Sequence, residues 1–424
     1  MKNGWNKITI GQLGKIVTGK TPPTVHSEYY IGIYPFITPS DLEYDRRFVE
    51  TERTISDDGC EYQKQLLLPP KTTCFVCIGA TIGKICQTNK YSFTNQQINS
   101  IIADGGKYDS DFIYYLLRTQ ESKVKSLAGG AATPIVSKSS FSNIEITVPE
   151  IIQQKSIASI LSAYDDLIEN NTRRIKILEE MARLIYREWF VEWNIPVETR
   201  SRDAINRVST TKKMQLRKAT PEEKKVTGKD VFPEGWEVKR LEEVAGINQQ
   251  SIDKASVPNI IQYVDISSVS TGTINSYQNY NYKDAPGRAR RKVGHGDILW
   301  SCVRPNRKAY SLILHPSDDV IVSTGFAVIT PSTIPYTYLY ESITTETFVS
   351  YLVNHARGAA YPAVTQEDFQ DAQITIPTVD LLNKYHQLVE PIEELRHSLK
   401  TSNTNLRQTR DLLLPKLISG EVEV

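Results

Sequence analysis

The sequence predicts an α+β chain in which two duplicated β-rich domains are separated by two long helices packed as an antiparallel coiled coil. Three observations carry this expectation. Residues 150–193 place apolar side chains at coiled-coil spacing. The pattern returns 228 positions later. The segments in front of the two helices also match each other in order, so the chain reads as domain, helix, domain, helix.

The 424 residues allow two to four domains, with 40% apolar and 23% charged residues, the balance of a globular chain with ample core. No apolar run is long enough to span a membrane, and the opening MKNGWNKITIGQLG does not look like a signal peptide. Five cysteines, an odd number with four in one segment, argue against a disulfide framework and for a reducing cytoplasm. A net charge of +1 gives no global support to nucleic-acid binding, so any such role has to come from local patches.

Residues 1–149 form the first domain. Short apolar runs at 8–10, 34–37, 73–78 and 99–102 read as strands, and SDFIYYLLRTQESKVKS near 110–126 reads as a helix. The first long helix occupies 150–194. Its a positions hold Ile157, Tyr164, Asn171, Leu178 and Ile185, and its d positions Ile160, Leu167, Arg174 and Met181. Asp165 is placed to cap a helix beginning at Asp166, after a shorter helix over 153–162. Residues 195–231, rich in Lys, Arg, Glu, Thr and Ser, read as a long solvated linker.

The second domain spans 232–377. It opens on Gly235-Trp236 as the first opens on Gly4-Trp5. PFITPSDL (35–42) matches QYVDISSV (262–269), and TTCFVCIGATIGK (72–84) matches DILWSCVRPNRK (297–308) with one gap. GAATPIVSKSSFSNIEITVP (130–149) aligns without a gap to GAAYPAVTQEDFQDAQITIP (358–377). The second long helix fills 378–424, with a positions Tyr385, Ile392, Leu399, Leu406 and Leu413 and d positions Leu388, Leu395, Ser402 and Thr409. Pro391 is expected to start its long part, and Pro415 and Gly420 to stop it. Each long helix then has about 24 residues, about 36 Å at 1.5 Å per residue, against about 34 Å for one turn of DNA.

Catalytic chemistry is not visible. Amino methylation of a base would need Asn or Asp followed by Pro-Pro and an aromatic, and the Pro-Pro pairs in TPPT (21–24) and LPPK (68–71) do not fit. GATIGKI (79–85) is one residue short of a phosphate loop and carries Ile where Ser or Thr would meet Mg²⁺. Glu237-Val238-Lys239 is a nuclease-like triplet inside the repeat's opening strand and is discounted. Cys74 and Cys77 lie on one strand and point to opposite faces, so they read as buried thiols rather than a zinc site. The six histidines show no ligand spacing, and no metal site is expected.

Candidate nucleic-acid contacts are local. PGRARRK (286–292) puts Arg288, Arg290, Arg291 and Lys292 in or beside a Gly/Pro loop, able to neutralise phosphates or reach a guanine edge. Arg304, Asn306, Arg307 and Lys308 follow a strand in a Pro-containing turn. The first domain has Lys84 at that turn and then Thr94, Asn95, Gln96 and Gln97, whose amides suit adenine. Ser137 and Lys138 match Thr365 and Gln366 after the GAA-x-P segments. Leu184, Trp189, Phe190 and Trp193, at the end of the first helix, are expected to form a partner-docking face.

The Gly-Trp openings, the GAA-x-P-x-V closes of both halves, the paired helices and LLLPKLISGEV (412–422) resemble the specificity (S) subunit of type I restriction–modification systems, the HsdS family, over nearly the whole chain. That resemblance implies two target recognition domains reading the two parts of a bipartite double-stranded DNA site. It implies spacer helices that set the distance between half-sites and dock two methyltransferase subunits, to which restriction/translocase subunits join. It further implies a chain without catalytic residues of its own, S-adenosylmethionine, ATP and Mg²⁺ being held by the partners. The competing reading is a stand-alone duplicated DNA-binding or decoy protein without enzymatic partners.

Overall fold

A computed structural model describes residues 4–43, 46–128, 134–196, 211–252 and 258–424. The chain divides into two compact units, Met1–Arg173 with Lys400–Val424, and Arg174–Leu399.

In the first unit, strand Asn6–Thr9 pairs antiparallel with Glu145–Val148, so the start and end of the domain close on each other. A four-stranded antiparallel sheet follows in the order Gly14–Thr18, Ile98–Ala103, Thr73–Val76, Ile85–Gln87. A smaller sheet sets Tyr30–Ile37 between Thr54–Ile55 and Phe93–Thr94, the last in parallel. Helix Ser110–Arg118, capped by Asp109, is buried through all six residues from Phe112 to Leu117. Phe75, Ile101, Phe112 and Phe141 form its core with Ile157 and Leu161 of the first long helix and Leu414, Leu417 and Ile418 of the second.

The second unit repeats the plan within itself. Glu237–Arg240 pairs with Gln373–Ile376. The four-stranded sheet runs Ala245–Ile247, Phe326–Pro331, Ile298–Ser301, Tyr310–Leu312. A second sheet again contains one parallel pair, Ile260–Val264 with Val320–Ser323. Strand order and the parallel pair thus bear out the duplication. Trp300 stands where the first unit has Phe75; it is fully buried, and its Nε1–H donates to the Ile343 carbonyl at 2.9 Å.

The linker expectation needs correction for its described part. Leu216–Lys218 pairs with Val231–Pro233, and helix Pro221–Thr227 between them has a Thr220/Glu223 capping box. Arg217 grips Glu223 with two bonds of 2.6 and 2.8 Å, and this holds the Glu223 carboxyl down at about 2. Lys224 likewise pairs with Asp230 at 2.5 Å, while Lys218, Glu222 and Lys225 stay exposed. Residues 197–210 lie outside the described residues.

The helices also differ from expectation. Each is continuous, Ile151–Tyr186 with 36 residues and Val379–Ile418 with 40. Pro391 and Pro415 lie inside the second helix. Both prolines and the residues four before them, Gln387 and Asp411, lie on the solvent side, where a missing helical hydrogen bond costs least. Asp165 is no cap; it is buried. The lengths also remove the numerical match to one DNA turn.

Half of the expected seam shifts as well, the d row. The d residues Leu167 and Met181 are 53% and 45% exposed, and Leu388 and Leu395 are exposed too. The buried row in the first unit is instead Gln154, Ala158, Leu161, Asp165 and Ile168, facing Asn403, Arg410, Leu414 and Leu417. These spacings alternate 4 and 3, the coiled-coil period in another register. Arg410 Nη1 donates to Asp165 at 2.5 Å, and Asn171 Nδ2 donates to Asn403 at 3.0 Å. Rising along one helix descends the other, so the pairing is antiparallel. In the second unit Arg396 meets Glu179 at 3.6 Å and Glu393 at 2.6 Å. The expected a positions do stay inside, with Ile157, Tyr385 and Leu399 buried and the others half-buried; it is the d row that turns outward, because the seam takes in paired polar residues instead.

Candidate nucleic-acid interface

In the second unit the central strand Ile298–Ser301 ends in a turn whose shape the repeat prescribes. Arg304 there has φ +51, and its N–H donates to the Pro362 carbonyl at 2.7 Å. In the first unit the aligned Gly79 has φ +95 and donates to the Pro134 carbonyl at 2.9 Å. Pro134 and Pro362 are the same position of the GAA-x-P segment, so each unit docks this turn on that segment. Glycine suits a left-handed corner; an arginine there costs roughly 1 kcal/mol, so its presence at Arg304 points to use of the side chain.

That side chain is aimed by its neighbours. The Arg304 guanidinium lies 4.4 Å over the ring of Tyr361, which is 69% exposed, and donates to the Ala360 carbonyl at 3.3 Å. Arg357 reaches Asp368 at 3.4 Å yet remains largely exposed. Asn306 and Arg307 are exposed in the same turn. Lys308, also left-handed at φ +53, pairs with Glu346, which leaves it less charge to offer. Sequence reasoning missed Arg357 and Tyr361. The signal was present: Tyr361 replaces Thr133 inside the otherwise matching GAA-x-P segment.

The other basic segment of this unit is the loop at 286–292. Arg288 is exposed, and its carbonyl accepts from Thr324 N–H at 2.9 Å. Arg290 is exposed, with Nη1 on the Tyr282 hydroxyl at 3.0 Å and Nε on the Gly287 carbonyl at 3.0 Å. Arg291 and Lys292 lie on strand Ala289–Lys292 and are half-buried. Burial pulls the Arg291 guanidinium below its usual range, a cost for charge that argues against a phosphate contact. Of the four cations, Arg288 and Arg290 are the ones presented to solvent.

In the first unit the candidates fare differently. Lys84 is half-buried and donates to the Leu42 carbonyl at 2.6 Å and the Pro39 carbonyl at 3.4 Å, a tie between loops. Thr94 and Asn95 are buried. Asn95 Oδ1 accepts from Gln97 N–H at 3.1 Å, and Asn95 Nδ2 donates to Gln97 Oε1 at 2.9 Å, a closed side-chain turn. Only Gln96 faces outward, accepting from Thr21 at 3.0 Å. Lys84, Thr94, Asn95 and Gln97 are therefore spent on structure. Gly130, Ala131, Ala132 and Thr133 of the first GAA-x-P segment lie outside the described residues.

Ser137 and Thr365 do share a place, as N-caps. Ser137 Oγ accepts from Ser140 N–H at 3.0 Å, ahead of helix Lys138–Ser142. Thr365 forms a capping box with Asp368, ahead of helix Gln366–Gln370. Gln366 accepts from Asn248 at 2.9 Å. Lys138 is exposed.

The docking face is corrected. Trp189 and Phe190 are buried in the second unit's own core, Phe190 lying 4.8 Å from Tyr338 and 4.9 Å from Tyr385. The helix leaves its α geometry in a π turn over Arg187–Val191, and this turns the aromatics inward. Trp193 is half-buried beneath Lys229, whose Nζ is 4.0 Å from the ring centre. Leu184 stays exposed, together with Ile177 and Met181.

Cysteine behaves as expected. All five thiols are free, and Cys74 faces Cys86 across neighbouring strands. Burial pushes the Cys77 and Cys302 thiols up to about 11, out of the reactive range. Among the described residues no helix is long and apolar enough to cross a membrane.

Known proteins agree with this architecture. The type I restriction modification DNA specificity domain matches residues 2–180 and 233–394, once for each half. The MjaIX type I restriction enzyme specificity subunit of Methanocaldococcus jannaschii is 26% identical, the alignment covering 99% of this chain and 94% of that protein. The HindI specificity subunit of Haemophilus influenzae is 37% identical over 39% of this chain and 38% of its own length. The crystal structure of a type I restriction–modification S subunit from M. genitalium superposes with a TM-score of 0.61 at 16% identity, covering 98% of this chain and 97% of that one. With a strand plan built twice, two long paired helices and a family match over most of its length, the chain belongs to the type I restriction–modification DNA specificity family.

Proposed function

We propose that this chain supplies DNA sequence specificity to a type I restriction–modification assembly and catalyses nothing itself. Each unit reads one half of a bipartite double-stranded site. The paired helices fix the spacing of the half-sites and dock two methyltransferase subunits, and restriction/translocase subunits join that core. S-adenosylmethionine, ATP and Mg²⁺ belong to those partners, and the target adenine is flipped into the methyltransferase. The observation that carries the reading is the same corner built twice, Gly79 on Pro134 and Arg304 on Pro362, with the exposed Arg307 and Arg357 at the second. The docking surface moves from the buried aromatics to Ile177, Met181 and Leu184, with Leu388 and Leu395 of the second long helix also exposed in that unit.

The test is co-purification with neighbouring gene products, followed by single-molecule sequencing of host DNA for N6-methyladenine. A complex with two methyltransferase chains, and a bipartite methylated motif lost on deletion, is expected. A chain that binds DNA alone, with an unchanged methylome on deletion, would establish the stand-alone binder instead.

A further inference from the structure

Two of the six histidines and one glutamate, far apart in sequence, are drawn together by folding. His295 lies in the turn before strand Ile298–Ser301, between Gly294 and Gly296. His315 lies in the turn after strand Tyr310–Leu312 and holds φ +47. Glu394 comes from the second long helix. All three belong to the same unit. His315 Nε2 is 2.9 and 3.0 Å from the two Glu394 carboxylate oxygens. The two imidazole rings are 4.6 Å apart, and His295 Nδ1 accepts from His315 N–H at 3.4 Å. One donor atom from each of the three lies within 4.8 Å of the others.

We propose that His295, His315 and Glu394 bind one divalent transition-metal ion of the zinc class. Two borderline imidazole nitrogens beside one hard carboxylate suit Zn²⁺, Co²⁺ or Ni²⁺ rather than Mg²⁺ or Ca²⁺, which take mostly oxygen. Zinc bonds of about 2.0–2.1 Å hold tetrahedral donors about 3.4 Å apart. The His315–Glu394 pair is already inside that distance, and rotation of solvent-facing side chains closes the rest. His397 follows Glu394 by three residues, a spacing that puts two side chains on one helix face. Its ring is 5.7 Å from that of His315, within reach of a fourth position. The His295 ring is steadied edge-on by Tyr336 at 5.3 Å. The site joins two turns of the recognition domain to its own stretch of helix, and its role is a structural clamp. Unlike the surrounding hydrogen bonds, that clamp opens with chelators.

The experiment titrates Co²⁺ into the untagged, full-length, chelator-treated chain and follows visible absorption, with Zn²⁺ added last as competitor. One equivalent of Co²⁺ binding with ligand-field bands, without a thiolate charge-transfer band and displaced by Zn²⁺, is expected. Zn²⁺ should also raise Tm. His315→Asn keeps a residue that tolerates positive φ, and Glu394→Gln keeps the side-chain size, so both variants should fold, as circular dichroism checks. Each should weaken Co²⁺ binding about tenfold or more and abolish the Tm response. Absence of ligand-field bands in the wild type, a thiolate band, or unchanged affinity in both folded variants would overturn the proposal.

Discussion

At the scale of the residue, the sharpest electrostatic feature is Glu341. Burial, with the neighbouring Glu393 carboxylate second, pushes its carboxyl from 4.5 up to about 8, against the pull of Arg396 and Arg183. Between those two values the folded chain holds a proton that the unfolded chain has released. Stability from the neutral carboxyl is complete below about 4.5 and drains away as pH rises through about 8, by at most about 1.4 kcal/mol per pH unit. Glu341→Gln should flatten this slope and leave the variant more stable than wild type at alkaline pH. Urea unfolding at acid, neutral and alkaline pH reads it, and a slope equal to wild type would refute the assignment. Arg304 is the corresponding test of the interface. Arg304→Ala should weaken specific DNA binding by the assembled complex about tenfold, as expected for one base-contacting arginine worth roughly 1–3 kcal/mol. Lys84→Met should leave affinity within about twofold, because Lys84 is tied to carbonyls. Equal losses in both variants would count against the corner. The contrast between these two residues was not legible in sequence, where both are basic residues in equivalent turns; burial and partners separate them.

At the scale of the element, the helix pair is held in register by polar groups. Asp165 accepts from the Tyr115 hydroxyl at 2.5 Å and from Arg410 at 2.5 Å, and Arg410 is fully buried. Removing one partner from a buried pair strands the other charge, at a cost of roughly 3–5 kcal/mol. Asp165→Ala should lose that much in chemical denaturation, while Asp165→Leu combined with Arg410→Met should recover most of it. A double variant as unstable as the single would mean that Arg410 is held chiefly by Asp411. Asn171, a polar residue at an a position of the first helix, is bonded to Asn403, a pairing that favours one register over its neighbours.

At the scale of the whole molecule, the spacing role attributed to the helices has a direct test. Antiparallel pairing means that lengthening one helix alone breaks register. Seven residues inserted after Arg173 together with seven after Leu399 keep the 3.5 period on both sides. The methylated motif should then keep its two half-sites and change its spacer, as methylome sequencing would reveal. An unchanged spacer in a folded, methylating complex would remove the ruler from the mechanism.

The sequence by itself determined the duplication, the strand-rich domains, the two helices and the family. Those features rest on patterns that repeat along the chain, such as GAA-x-P and the 228-residue offset. Tertiary structure decided what periodicity counts wrongly. Apolar counting selected the row containing Leu167 and Met181, whereas the buried row is secured by Asp165, Asn403 and Arg410. Burial of polar groups is decided by partners more than 200 residues away, and no local window contains them. The same reason applies to Trp189 and Phe190, which find Tyr338 and Tyr385 rather than solvent. It applies also to His295, His315 and Glu394, whose juxtaposition exists only once the two turns meet the helix.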